Sequence, residues 1–223
     1  MKNLKYIFFF LVLTNFLPLF SQIDTEGGLF DEFRTLSNRN RTNQELYTRV
    51  EGTPYYSKDF VKSVIYLKNG NYGTSALRYD LFQDEMEFVQ DDKTLWLIKK
   101  DVNYISYGDE IIKVNENFEV PGKLAYYFVS DSGKYKVYIK KKVEYHPAVA
   151  PKGYSDGSPE RFEVGSDEFF LQIGDEPVQK IKNKKALEAI FVNDQKVLDY
   201  IKKEKIKLAS NDLQKLVKFL NTL

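Results

Sequence analysis

The chain has no cysteine and a single histidine, His146, among 223 residues. Without cysteine there are no disulfides, no thiol catalysis and no zinc site built on thiolates. One histidine excludes two-histidine metal centres and relays through several imidazoles. Charge of one sign is also missing: 33 Lys and Arg stand against 32 Asp and Glu, a net +1. No global field therefore draws the chain to nucleic acid or to an anionic membrane. A Gly-x-Ser-x-Gly elbow, a phosphate loop and a dinucleotide fingerprint are absent as well. These absences leave no defensible catalytic set, no cofactor and no metal ligands, and the expected class is a non-enzymatic binding or interaction module.

Long apolar runs are confined to one place. Met1 to Lys5 carries two lysines, Tyr6 to Phe20 is almost wholly apolar, and Ser21 precedes Gln22 and a polar chain. A charged start, an apolar stretch and a small residue at the exit make a secretory signal peptide over residues 1–21. Leu19 and Ser21 occupy the −3 and −1 positions, so cleavage between Ser21 and Gln22 is expected. A transmembrane anchor is the rival, but a span needs about 20 apolar residues, and this run is shorter and interrupted by Asn15 and Pro18. No cysteine follows it, which excludes attachment through a lipidated cysteine. The rest of the chain holds no second apolar run. The expected location is periplasmic, envelope-associated or extracellular.

What is abundant is aromatic: Phe and Tyr supply nearly all of a 15% share, which favours strands and leaves a glycan- or peptide-binding surface as the sharper alternative. Residues 22–59 read as a partly irregular lead, with Ser37 to Asn43 offering nothing to bury. From Phe60 short strand-like runs follow at intervals of about ten residues: 60–68, 76–80, 85–89, 94–98, 110–114 and 125–129. Asn69-Gly70 and Asp91-Asp92 are turn signals between them. Residues 134–145 alternate strictly, with Tyr135, Val137, Ile139, Val143 and Tyr145 on one face and Lys134, Lys136, Tyr138, Lys140 and Lys142 on the other. Lys141 falls on the apolar face, so the strand must bulge, bend or leave the core there. The lysine face reads as solvated edge protection. A Pro/Gly/Ser-rich loop spans 146–159, and strand character returns at Phe162 and 167–173.

The C-terminus is helical. Asn183 and Asp194 can cap helices carrying Leu187, Ile190 and Phe191, then Val197, Leu198 and Ile201. Ser210 precedes Leu213, Leu216, Val217 and Leu220 at helical spacing. The expected fold class is α+β: mainly antiparallel β, as a meander with a sandwich- or barrel-like form, with a short helical C-terminal segment. The expected β-rich domain covers 60–181, and helices over 182–223 pack on or beside it. The densest carboxylates are Asp84, Glu85, Glu87, Asp91 and Asp92. Residues 85 and 87 share a strand face, so a glycan hydrolase built on two carboxyls is the alternative function, and a membrane-peripheral use of the lysine-bearing helices is a third.

Several patterns together resemble a family of uncharacterised exported proteins of Bacteroidota. They are Gly52-Thr-Pro-Tyr55, Leu77-Arg-Tyr-Asp80 with Asp84-Glu-Met-Glu-Phe88, Val197 to Lys203 with Asp212 to Val217, and a leader ending Ser21-Gln22. The resemblance covers most of the chain after the leader. It implies an envelope protein with a β-rich body and a lysine-rich helical tail, and brings no activity and no site residues. The expected partner is an envelope protein or glycan, with no nucleic acid and no transmembrane span after Gln22.

Overall fold

The computed structural model describes residues 46–130, 133–153 and 156–223. Twelve strands precede three helices among them: β1 (Val61–Leu67), β2 (Tyr72–Asp80), β3 (Glu85–Gln90), β4 (Lys93–Trp96), β5 (Val102–Tyr107), β6 (Glu110–Glu116), β7 (Leu124–Ser130), β8 (Tyr135–Lys140), β9 (Val143–His146), β10 (Arg161–Val164), β11 (Glu168–Ile173) and β12 (Gln179–Ile181), then α1 (Lys184–Ile190), α2 (Gln195–Lys203) and α3 (Ser210–Leu220). Ten strands form one sheet in the order β12-β11-β8-β7-β6-β5-β1-β2-β3-β4, and β9 pairs with β10 apart from it. Every strand pairing is antiparallel. This is the α+β architecture, mainly antiparallel β with C-terminal helices, that the pattern predicts. No helix of the described residues is long and apolar enough to cross a membrane.

The turns explain the meander. Asp91 and Asp92 alone separate β3 from β4, and both have positive φ, 49° and 58°. That is the two-residue primed turn, whose twist matches that of the strands it joins. Two strands escape the pattern. β5 alternates buried Val102, Ile105 and Tyr107 with more exposed neighbours, but the bulge where it meets β1 blurs the period. β12 has only three residues, too few to show a period.

The sheet curls on itself. Three strands separate β7 from β2 in the sheet order, yet their Tyr126 and Tyr79 rings meet edge to face at 5.6 Å. Lys140, the last residue of β8, is ion-paired to Asp84 in the β2–β3 turn. The inner face holds Ile65, Leu77, Met86, Phe88, Ile105, Ile112, Phe128, Val137 and Ile139 in one continuous core. The helices bury their stripes in that same core through Leu187, Phe191, Val197, Ile201, Leu213, Leu216, Val217 and Leu220. Asn183 and Asp194 cap α1 and α2 through their side chains, as their positions suggest. Ser210 is instead the first helical residue of α3, after Ala209, and its hydroxyl is turned toward Asp167 and Lys141.

The long alternating segment breaks where Lys141 interrupts its apolar face. β8 ends at Lys140, and β9 starts at Val143 in the other sheet. The centre of the second face departs from the expected solvated lysine row. Tyr138 is buried there with Ala125, Tyr127 and Phe170, and Phe118 packs on them. Lys140 lies in an ion cluster, and Lys142 pairs with Glu168 at 2.7 Å. Lys134 stays exposed, while Lys140 is drawn out of solvent where aromatic side chains from β7 and β11 cover the centre of β8. Val137→Ala or Ile139→Ala should cost about 1–4 kcal/mol as core truncations, and Lys136→Ala less than about 0.5 kcal/mol. Equal denaturation midpoints for the three variants would contradict this register.

The lead is tied to both sheets. Backbone bonds join Glu51 to Glu160 and Phe162. Gly52 has φ 84°, and a Cβ there would meet the Phe162 carbonyl oxygen at 2.3 Å. Only glycine permits that approach. Further on, the Arg78 guanidinium lies over the Tyr55 and Phe60 rings at 3.9 and 4.5 Å and pairs with the buried Glu87.

Candidate functional site

On the concave side, between the β5–β6 turn, the lead and α3, lies a cavity of about 560 Å³. Small-molecule sites fall in the range of about 300–1,000 Å³. Its apolar floor comes from Ile111, Phe128, Val129 and Ile139. Tyr56 forms one side. Its ring packs on Phe128 at 4.7 Å, and its hydroxyl donates to both carboxylate oxygens of Glu110. Burial, then the adjacent Glu110 carboxylate, push the Tyr56 phenol above its ordinary range, so it stays a neutral donor. Asp109 and Glu110 bring two carboxylates to this side through the tight turn at Gly108.

The opposite wall is α3. Ser210, Gln214 and Lys218 recur every four residues and so share one helix face, with Asn211 beside them. The Lys141 ammonium at the rear is neutralised by Asp167 at 2.6 Å and donates to the Ser210 hydroxyl at 3.2 Å. By contrast, Asn211, Gln214 and Lys218 have no side-chain partner among the described residues. Ser130 also borders the cavity, but its hydroxyl is closed to solvent and has no hydrogen-bond partner. The cavity therefore offers an apolar floor, two carboxylates on one wall, and amides with an ammonium on the other.

The carboxylates singled out in the sequence do not assemble into a site. Glu85 and Glu87 do share a face of β3, but each answers to a different cation: Glu85 to Lys99 at 3.2 Å and Glu87 to Arg78 at 2.8 Å. Asp91 and Asp92 are turn residues. Asp84 joins a half-buried cluster with Lys99, Lys140 and the Tyr79 hydroxyl, which donates to it at 2.5 Å. Burial lowers the Lys140 ammonium and raises the Glu85 carboxyl, and the opposite charges beside each work against those shifts. The four charges neutralise one another and clamp the curled sheet. Nothing in the structure explains the fully buried, unpartnered Tyr126 hydroxyl beside them.

His146 ends β9 and sits 3.3 Å from Glu163 on β10, an exposed cross-strand contact. Within the 146–159 loop, Val149 bridges Ser158. Among the described residues no three His, Asp or Glu side chains gather to hold a metal ion. Ser21 and Gln22 lie outside the described residues.

Exposed Tyr72 and half-buried Tyr66 and Tyr104 form a row rather than a platform. Tyr72, Tyr66 and Tyr104 are directly opposite one another on β2, β1 and β5. Tyr66 stacks on Tyr104 at 4.3 Å and on Tyr72 at 5.9 Å. Rings stacked face to face cover the surfaces a sugar would lie on, and such pairs stabilise sheets. The cavity was not legible in the sequence: its walls come from segments more than a hundred residues apart, and the polar spacing of Ser210, Gln214 and Lys218 looks like any solvated helix face.

Comparison with protein-family models, curated proteins and solved structures gives no match.

Proposed function

We propose that this is an exported envelope protein acting as a non-enzymatic binding module, with its ligand in the concave cavity. The observation that carries the reading is the contrast in charge pairing. Asp84, Glu85, Glu87, Asp167 and Glu168 are all neutralised by cations. The side chains of Asn211, Gln214 and Lys218 line the cavity with no side-chain partner among the described residues. Polar groups around a concave apolar floor, left to be satisfied from outside, are the usual make-up of a ligand site. The tripartite N-terminus supports export, and the resemblance to exported Bacteroidota proteins supports the envelope, where a protein or glycan would supply the ligand.

Two measurements test this. N-terminal analysis of the secreted protein should find Gln22 first; retention of Met1 to Phe20 would contradict export by this leader. Incubation of the purified protein with envelope glycans should release no reducing ends. Release that disappears in both Glu85→Gln and Glu87→Gln would establish the hydrolase reading instead.

A further inference from the structure

We infer that the concave cavity receives a short zwitterionic peptide, its ammonium at Asp109 and Glu110 and its carboxylate at Lys218. This rests on the cavity being the binding site. Carboxylates on the β5–β6 turn and an ammonium on α3 line the same cavity around its apolar floor, and Asp109, Glu110 and Lys218 have no salt-bridge partner among the described residues. A ligand with one charge of each sign, held apart by an apolar middle, complements both walls at once. A neutral sugar would leave both charges unanswered, and an anion alone would meet Asp109 and Glu110 as like charges.

The middle of the cavity fits a peptide backbone. The Gln214 and Asn211 amides each offer a donor and an acceptor, the pattern a peptide bond presents in reverse. Ile111 and Phe128 provide contact for one apolar side chain. The volume of about 560 Å³ suits a di- or tripeptide rather than a long strand.

The test is calorimetric titration of the mature protein with the tripeptide Ala-Leu-Ala, its N-acetylated form, its C-amidated form and a neutral trisaccharide. The free tripeptide should bind, and each blocked form should bind about tenfold more weakly. The double variant Asp109→Asn/Glu110→Gln should weaken the free peptide while leaving the acetylated form unchanged. Lys218→Met should do the same for the free and amidated forms. That pairwise pattern assigns each terminus to its wall. Asp109 and Lys218 are exposed and Glu110 is half-buried, so unchanged melting temperatures should show that the variants fold. Equal affinity of free and blocked peptides, or no binding of the free one, overturns the inference. Binding of the trisaccharide alone, abolished by Gln214→Trp, would overturn it while leaving the cavity as the site. Peptide binding untouched by Gln214→Trp would show that the cavity is not the site at all.

Discussion

Leu216→Asp should unfold the protein or release its C-terminal tail to proteolysis, without changing its behaviour toward lipid. Leu216 is 1% exposed and lies in the core shared by α3 and the inner face of the sheet. α3 has eleven residues, too few to persist alone in water. Its stability comes from burying Leu213, Leu216, Val217 and Leu220, while Asn221 at its end binds both backbone groups of Tyr135 in β8. An unpaired carboxylate in that core costs on the order of 4 kcal/mol, a large part of a typical domain's about 5–15 kcal/mol. Circular dichroism and limited proteolysis should show the loss, and Leu216→Ala should give a graded one of about 2–5 kcal/mol. Wild type and variant should both stay unbound in flotation with anionic liposomes. Flotation of the wild type, abolished in Leu216→Asp with melting unchanged, would establish the membrane-peripheral reading.

Asp80→Asn should stabilise the protein above neutral pH and flatten its pH profile. Asp80 is fully buried. Its carboxylate accepts from the Tyr47 hydroxyl at 2.6 Å and from the backbone N–H groups of Phe82 and Gln83 at 2.9 Å. Burial outweighs these bonds and pushes its pKa up from 3.8 to about 6. Between those values the native state holds a proton that the unfolded chain has already released. Stability is therefore greatest below the unfolded pKa, falls as pH rises through the folded one, and is level above it. The loss across this window is on the order of 1–3 kcal/mol. Asparagine can keep the three bonds, its oxygen accepting from the two amides and its NH₂ donating to Tyr47, without carrying the charge. Glu85, also raised by burial, should leave a smaller slope of the same sign. Urea midpoints at pH 4, 6 and 8 check this; a variant less stable than wild type at pH 8 would contradict it.

Much of the fold was legible because its cause is local. Helical spacing placed all four apolar residues of the α3 stripe in the core, and Lys141 marked the break between β8 and β9. Asp91-Asp92 marked a hairpin that needs positive φ at both positions. The failures have long-range causes. Lys140 looked solvent-facing, but the curling of the sheet brings Asp84 to it from across four strands. The row of Tyr72, Tyr66 and Tyr104 exists only because register sets the three side by side. The cavity depends on where α3 docks, and a helix's own period indicates which face is apolar, not what its polar face will line.

The central claim is that the concave cavity, and not the outer tyrosine row, is the binding surface. Titration of the isotope-labelled protein with Ala-Leu-Ala, followed by backbone amide NMR, separates the two surfaces. Shifts should concentrate at Glu110, Ile111, Ser130, Ser210 and Gln214. Shifts confined to Tyr66, Tyr72 and Tyr104 and their neighbours would contradict it.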